Sequence, residues 1–289
     1  MPRRTTLLLL AALPVWALVL SGCPSQAEHD LFAAARTGRR DIALESLLSG
    51  ANVNVRRPED QATALTIAAQ FGRGEMVAFL LENGAAVDYR RSDGSSALML
   101  AVLNRRPAVV DQLLAAGADV ELSAMQFGLR AVRPLHAWAI NAGPPSIGQF
   151  LLAAGADVTA RTEGGLTPID LAVRADRPEQ LEILLGPAET AQARQLDLAM
   201  RQAVRFGSLK SARWLLARRA DPNGRDDAGN PLLATAVRDG QEPVARLLIE
   251  AGALEALAAS ERQAIAAEAA RQGLDELAGQ IAPPRAGGG

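Results

Sequence analysis

Leu80-Leu81-Glu82-Asn83-Gly84-Ala85-Ala86-Val87-Asp88 and, 33 residues on, Leu113-Leu114-Ala115-Ala116-Gly117-Ala118-Asp119-Val120 are two copies of one phrase; Leu151-Leu152-Ala153-Ala154-Gly155-Ala156-Asp157-Val158 is a third. Leu-Leu pairs recur at 47/48, 80/81, 113/114, 151/152, 184/185, 215/216 and 247/248, at spacings of 33, 33, 38, 33, 31 and 32 residues. Self-similarity at this period is the mark of stacked repeats. Gly50-Ala51-Asn52-Val53-Asn54 follows the first pair, Arg219-Ala220-Asp221-Pro222-Asn223 is a degenerate copy, and Gly252-Ala253 closes the series. An apolar anchor precedes each pair by 14 to 16 residues: Leu31, Leu65, Leu98, Leu135, Ile169, Met200 and Leu233. Turn residues such as Asp93-Gly94 or Gly164-Gly165 usually stand before the anchor.

The residue types within one copy specify two short helices. Pro168 at a first helical turn costs no hydrogen bond, because that N–H has no partner in any helix. Gly38, Gly72, Gly207 and Gly240 suit a left-handed C-cap after the first helix. Adjacent leucines in the second helix diverge by about 100°, so one faces the helix of its own copy and the other the next copy. Asp88, Asp119, Asp157 and Asp221 recur at the repeat spacing and serve turn geometry. One such unit cannot bury its apolar face alone, so stability comes from its neighbours.

Composition agrees. The chain has 289 residues, 49% hydrophobic and 21% charged, which excludes disorder for most of it. About one residue in five is Ala and aromatics are only 3%, a balance suited to closely packed short helices rather than a sheet core. Lys and Arg number 30 against 32 Asp and Glu, so the chain as a whole lacks the basic footprint of a nucleic-acid binder. Lys210 is the lone Lys, an Arg bias that fits GC-rich bacterial coding. One Cys and two His exclude an internal disulfide and most metal sites.

These units resemble the ankyrin repeat, whose consensus carries Thr-Pro-Leu-His, an Ala-rich first helix, a Leu-Leu second helix and Gly-Ala-Asp. Thr167-Pro168-Ile169 and Pro134-Leu135-His136 are its nearest local copies. The resemblance implies an all-α solenoid of stacked helix-turn-helix units with β-turn tips, over residues 30–280: about seven repeats and a C-terminal helical cap. Ser260 to Gln272 and Leu274 to Gln280 would form that cap around Gly273, and residues 281–289, rich in Pro and Gly, a loose tail. The first copy begins at Asp30-Leu31 without a turn of its own, as a capping repeat would.

At the other end, Arg3 and Arg4 precede the apolar run Leu7 to Leu20, too short for a permanent span and interrupted by Pro14. Leu20-Ser21-Gly22-Cys23 resembles the lipobox of bacterial lipoproteins. That resemblance implies a signal peptide over residues 1–22, diacylglycerol on Cys23, a short tether over residues 23–29, and a mature protein anchored in the periplasm. In such lipoproteins Asp after the Cys signals inner-membrane retention, so Pro24 favours the outer membrane.

Proteins of the ankyrin family bind partner proteins with turn tips and with the concave face of their first helices. Position by position this gives Arg36, Thr37, Gln70, Phe71, Leu103, Asn104, Ile140, Asn141, Arg174, Arg205, Phe206, Arg238 and Asp239 on the concave face. Arg56, Arg57, Arg90, Arg91, Arg130, Arg133, Arg161 and Arg225 would stand at the tips, either as a basic stripe or as solvation of exposed turns. Phe71, Leu103, Ile140 and Phe206 would form an apolar band.

Two departures interrupt the period. The 38-residue spacing places extra residues in Glu121 to Arg133, where Met125, Phe127 and Leu129 form either a finger for a partner or a cover for the next repeat. The Pro187 to Ala193 junction lacks the usual turn and is either a bend between stacks or a decayed repeat. No catalytic constellation is present: His136 fills a structural slot of the consensus, and Trp138 and Trp214 fill core gaps. The expected function is a monomeric, membrane-tethered module that binds a protein partner, without cofactor, metal or nucleic acid; the alternative is an immunity-type or inhibitor protein that blocks a toxin or envelope enzyme.

Overall fold

A computed structural model describes residues 24–186 and 193–283. Cys23, the leader before it, most of the Pro187 to Ala193 junction and the end of the C-terminal tail lie outside the described residues.

Eight antiparallel helix pairs follow one another: α1 (Gln26–Thr37) with α2 (Arg40–Leu48), α3 (Ala64–Phe71) with α4 (Gly74–Glu82), α5 (Ala97–Leu103) with α6 (Pro107–Ala115), and α7 (Pro134–Asn141) with α8 (Pro145–Ala153). Then come α9 (Pro168–Arg174) with α10 (Pro178–Leu185), α11 (Ala193–Phe206) with α12 (Leu209–Ala217), α13 (Leu232–Arg238) with α14 (Glu242–Glu250), and α15 (Ala259–Arg271) with α16 (Asp275–Ile281). Each odd-numbered helix packs on the next odd-numbered one and each even-numbered helix on the next, so an inner and an outer row run side by side. Both rows continue from α9 and α10 to α11 and α12.

The start signals read in the sequence act as caps. Thr63, Ser96 and Thr167 each accept the N–H three residues on, and Asp170 returns a bond to the Thr167 N–H at 2.9 Å. Pro107, Pro134, Pro145, Pro168 and Pro178 stand in first turns. The first helix begins earlier than expected. Ser25 caps α1 in a capping box with Glu28, so helix starts at Gln26 rather than near Asp30, and only Pro24 and Ser25 separate it from Cys23.

The core is built on small residues. Ala35, Ala68, Ala101, Ala172, Ala203 and Ala236 are all fully buried in the inner row, letting consecutive backbones approach closely. In the outer row the first Leu of a pair does the packing: Leu80, Leu113, Leu151 and Leu215 are fully buried while Leu81, Leu114, Leu152 and Leu216 are half-buried. In these four copies the expectation that both leucines are core is corrected, because the second points along the flank of the stack; Leu184 and Leu185, and Leu247 and Leu248, are buried in both members. In the first copy the register slides by one. Buried Ser46 takes the packing position, and Leu48, at 80% exposure, takes none. Trp138 lies fully buried against Gly148, where any side chain would collide with the indole ring, and its Nε1–H donates to the Pro144 carbonyl at 3.0 Å.

Between pairs the chain projects fingers that are joined across copies. The Ser92 N–H donates to the Asp60 carbonyl at 3.0 Å, Met125 N–H to Asp93 at 3.1 Å and Glu163 N–H to Arg130 at 3.1 Å. The extra residues of the long spacing form a two-stranded antiparallel hairpin, β1 (Ala124–Gln126) and β2 (Leu129–Val132), carried as a finger on the all-α solenoid. Its tip, Phe127-Gly128, has positive φ at both positions, 55° and 72°, the geometry of a tight hairpin turn. Ala124 and Val132 are buried, whereas Met125 and Phe127 are 55% and 51% exposed. The hairpin thus both covers a repeat and presents a tip.

Two side-chain ladders tie copy to copy. Inner-helix C-termini leave carbonyls without partners. Arg73 donates to the Arg36 carbonyl (3.0 Å), Asn141 to Leu103 (2.6 Å), Gln241 to Arg205 (3.4 Å) and Gln272 to Arg238 (3.1 Å). In the turns after the outer helices, Asn54 accepts from the Ala86 N–H, Asp88 from Asp119, Glu121 from Asp157 and Asp197 from Asp221. Asp119, Asp157 and Asp221 also accept the N–H two residues on, the turn role read from their spacing.

Two outcomes are expected. Leu113→Ala should cost about 2 to 5 kcal/mol in denaturant melts, with Leu114→Ala costing less than half as much; equal losses would mean the outer-row register is wrong. Asp60 joins two fingers, accepting from Arg57 at 2.6 Å and Arg91 at 2.7 Å, and the Arg57 hydrogen bond leads in lowering its carboxyl from 3.8 to about 2. A carboxylate whose folded pKa is depressed adds stability that is complete above its unfolded pKa and lost as pH falls through the folded one. Because Arg57 is 42% exposed and screened, Asp60→Asn should cost about 1 kcal/mol at neutral pH. That difference from the parent chain should shrink between about pH 4 and pH 2 in acid titrations of the fold.

Candidate functional site

Among the clefts that the described residues form between the inner row and the fingers, three collect the anticipated residues. The first, about 430 Å³, lies between α1, α3 and two fingers and includes His29, Arg36, Arg57, Gln70, Phe71 and Arg91. Phe71 is 41% exposed there, and Gln70 accepts from Arg91 at 3.3 Å. The second, about 270 Å³, is walled by Phe127 and Leu129 of the hairpin, Ile140 of α7, and Leu171, Arg174 and Ala175 at α9. The third, about 360 Å³, lies between α11 and α13 and includes Leu198, Arg201, Gln202, Arg205, Arg238 and Asp239.

The anticipated concave-face residues thus divide among separate clefts. Arg36, Gln70 and Phe71 meet in the first, Phe127, Ile140 and Arg174 in the second, and Arg205, Arg238 and Asp239 in the third. Leu103, Ile140 and Phe206 are half-buried and packed against the core, so Phe71 is the one fully exposed member of the anticipated apolar band. Asn104 is spent on the Leu100 carbonyl of its own helix at 2.8 Å, and Asn141 on the Leu103 carbonyl. Arg238 pairs with its neighbour Asp239 at 3.2 Å.

The tip arginines are partnered within the chain. Arg90, Arg161 and Arg225 each donate to the carbonyl four residues on, those of Gly94, Gly165 and Gly229, closing the finger. Arg57 and Arg91 share Asp60, Arg133 pairs with Glu121 at 2.8 Å, Arg130 with Glu163 at 3.8 Å, and Arg56 stacks on Tyr89 at 4.5 Å. On the inner helices, Arg36, Arg174 and Arg205 are among the cationic groups without a carboxylate partner among the described residues. The last two sit 5.7 and 5.8 Å from the Phe206 ring.

Leu198, 48% exposed, was missing from the anticipated set. It stands two residues before the anchor Met200, where other copies place the capping residues Thr63, Ser96 and Thr167. An apolar residue in a capping slot was the available signal. Since α11 is 14 residues long, that slot is helix surface.

His136 is fully buried with both ring nitrogens engaged: Nδ1 accepts the Arg133 N–H at 3.4 Å and Nε2 donates to the Ala160 carbonyl at 3.0 Å. Burial, the leading cause, lowers its pKa below the ordinary imidazole value and holds it neutral, joining a helix to the next turn. Among the described residues no cluster of three or more His, Cys, Asp or Glu could hold a metal ion, and no helix is long and apolar enough to cross a membrane.

Comparison with known proteins agrees with this architecture. Over 162 residues the chain is 31% identical to a putative ankyrin repeat protein of Fowlpox virus, covering 54% of this chain and 46% of the viral one. It is 33% identical over 172 residues to human SH3 and multiple ankyrin repeat domains protein 2, covering 58% of this chain and 9% of that protein. The ankyrin repeat and KH domain-containing protein mask-1 of Caenorhabditis elegans is 32% identical over 233 residues, which is 77% of this chain and 8% of that one. The chain therefore spans less than half the length of each of these relatives. Family models described as ankyrin repeats match residues 31–124, 133–163 and 199–249, together more than half of the chain, and with the stacked helix pairs and joined fingers they make it a member of the ankyrin repeat proteins.

Proposed function

We propose that the chain is a membrane-tethered, periplasmic interaction module that holds a partner protein against its inner row, with no chemistry of its own. Ankyrin repeats mediate protein–protein interaction, and one observation carries the reading for this surface: Phe71, Phe127 and Leu198 are 41%, 51% and 48% exposed in three clefts along it. Arg36, Arg174 and Arg205 stand in or beside those clefts without ion partners among the described residues. Exposed aromatics beside unpaired Arg are the composition of interface anchors, and such apolar surface is costly unless something covers it.

The tether rests on Leu20-Ser21-Gly22-Cys23 and on the start of α1 at Gln26. At about 0.8 kcal/mol per buried CH₂, two or three acyl chains on Cys23 hold a protein permanently where one binds reversibly. With two residues before α1, the first repeat would sit close to the bilayer surface, within reach of envelope proteins.

Two experiments test these halves separately. Cys23→Ser should abolish labelling by radioactive palmitate in a bacterial host and leave the chain unprocessed or soluble; a labelled, membrane-bound mutant defeats the tether. Affinity capture from detergent-solubilised envelope, with Phe71→Ala and Leu198→Ser alongside the parent chain, should yield a partner that each variant holds at least about fivefold less well. Melting points within a degree of the parent must accompany that loss. Equal capture by all three chains would place the contact elsewhere.

A further inference from the structure

The middle cleft lies where the inserted hairpin interrupts the repeat period, and its chemistry differs from that of the first and third clefts. Its walls are Phe127, Leu129, Ile140, Leu171 and Ala175, with Arg174 as the single charged residue and no carboxylate among them. The nearest acids are committed. Glu163 faces Arg130, Glu121 faces Arg133, and Asp170 accepts from Thr167 in the cap of α9. Arg174 is exposed and sits 5.7 Å from the Phe206 ring, whose other neighbour, Arg205, lines the third cleft.

Size and edges narrow the occupant. At about 270 Å³ the cleft falls below the roughly 300 to 1,000 Å³ usual for sites that enclose a whole small molecule, and it suits one large side chain. Strand addition is closed off, because both neighbours of the hairpin already bond to it: Met125 N–H to Asp93 on one side and Glu163 N–H to Arg130 on the other. Recognition there must run through side chains. The Phe127-Gly128 turn fixes the aromatic wall in place, so little ordering entropy is lost on binding.

We propose that this cleft binds an extended acidic segment of a partner protein, which inserts one large aliphatic or aromatic side chain between Phe127 and Ile140 and sets an adjacent carboxylate on Arg174. The inference rests on the reading of the inner row as a protein-binding surface and names the chemistry of the segment bound there. Charge complementarity selects the acid: Arg presents a planar fork matched to carboxylate, and its attraction strengthens beside an apolar wall.

The test uses the mature chain and fluorescein-labelled decapeptides with a central Phe or Leu flanked by Asp and Glu, by Asn and Gln, or by Lys, read by fluorescence polarisation. The acidic peptides should bind at least tenfold tighter than the amide-flanked ones, about 1.4 kcal/mol, and lose affinity as salt rises. Arg174→Gln should remove most of that preference while leaving the amide-flanked peptides unchanged, Arg174→Lys should restore part of it, and Phe127→Ser should weaken every peptide with a central apolar residue. Phe71→Ala, in another cleft, should change nothing. Equal binding of acidic and amide-flanked peptides, or indifference to both Arg174→Gln and Phe127→Ser at unchanged melting point, overturns the proposal. A concentration-dependent dimer in sedimentation that Phe127→Ser abolishes would overturn it too, by making a second copy the occupant. Should Phe71→Ala still reduce envelope capture while Phe127→Ser does not, the interaction module stands and only the acidic-segment cleft falls.

Discussion

Everything in this structure depends on the contact between one inner helix and the next. A pair of helices seven to fourteen residues long has too little apolar surface to hold itself together, and isolated helices of that length are marginal in water. Buried Ala at equivalent positions, from Ala35 through Ala236, lets backbones come close enough for each copy to be core for its neighbours. Stability is then a sum of interface terms along a line. The ends have one neighbour instead of two, and at the last copy Arg246 reaches forward to Glu276 of the last helix at 2.8 Å.

Close stacking creates a second demand. Short helices have many ends, and every end leaves backbone groups to satisfy. The chain meets this with polar side chains sent across the interface: Arg73, Asn141, Gln241 and Gln272 to the carbonyls behind them, Asn54, Asp88, Glu121 and Asp197 to the amides of the following turn. Where no Gly is available for the left-handed residue after an inner helix, Arg105, Ala142 and Asp176 take it, at φ of 56°, 49° and 53°. Asp176 is further used to cap α12, accepting from the Ser211 N–H at 2.7 Å. A polar residue at an interface position is therefore as much part of the stack as a Leu.

This explains what the sequence made legible. Period, helix order and turn positions were readable because each is written seven or eight times, and the shared apolar anchors name the inner row directly. The finer register was not. In the first copy Ser46 occupies the position that Leu80 and Leu113 hold elsewhere, and a Leu-Leu pair one residue out of frame hides that substitution. The hairpin at Ala124 to Val132 was visible as extra length but not as strands, because its pairing is completed by neighbouring fingers far away in sequence. Residues such as Asn104, Asn141 and the tip arginines looked free for a partner, since a sequence shows a side chain's position but not the carbonyl it reaches.

The distinction between recurring and singular residues then separates scaffold from surface. The Arg-to-Gly closure of the finger appears at Arg90, Arg161 and Arg225, and the turn carboxylates appear at Asp119, Asp157 and Asp221. A residue type that returns at the repeat spacing with the same bond is there to build the repeat. Phe127, Arg174 and Leu198 make no such recurring bond: one comes from the inserted hairpin, one has no ion partner among the described residues, and one is an apolar side chain in a capping slot. Retaining them costs exposed apolar area or an unpaired charge, and the stack gains nothing in return. Such positions are therefore where a partner's contacts are to be sought, and they fall in the middle and third clefts of the inner row, away from both capped ends.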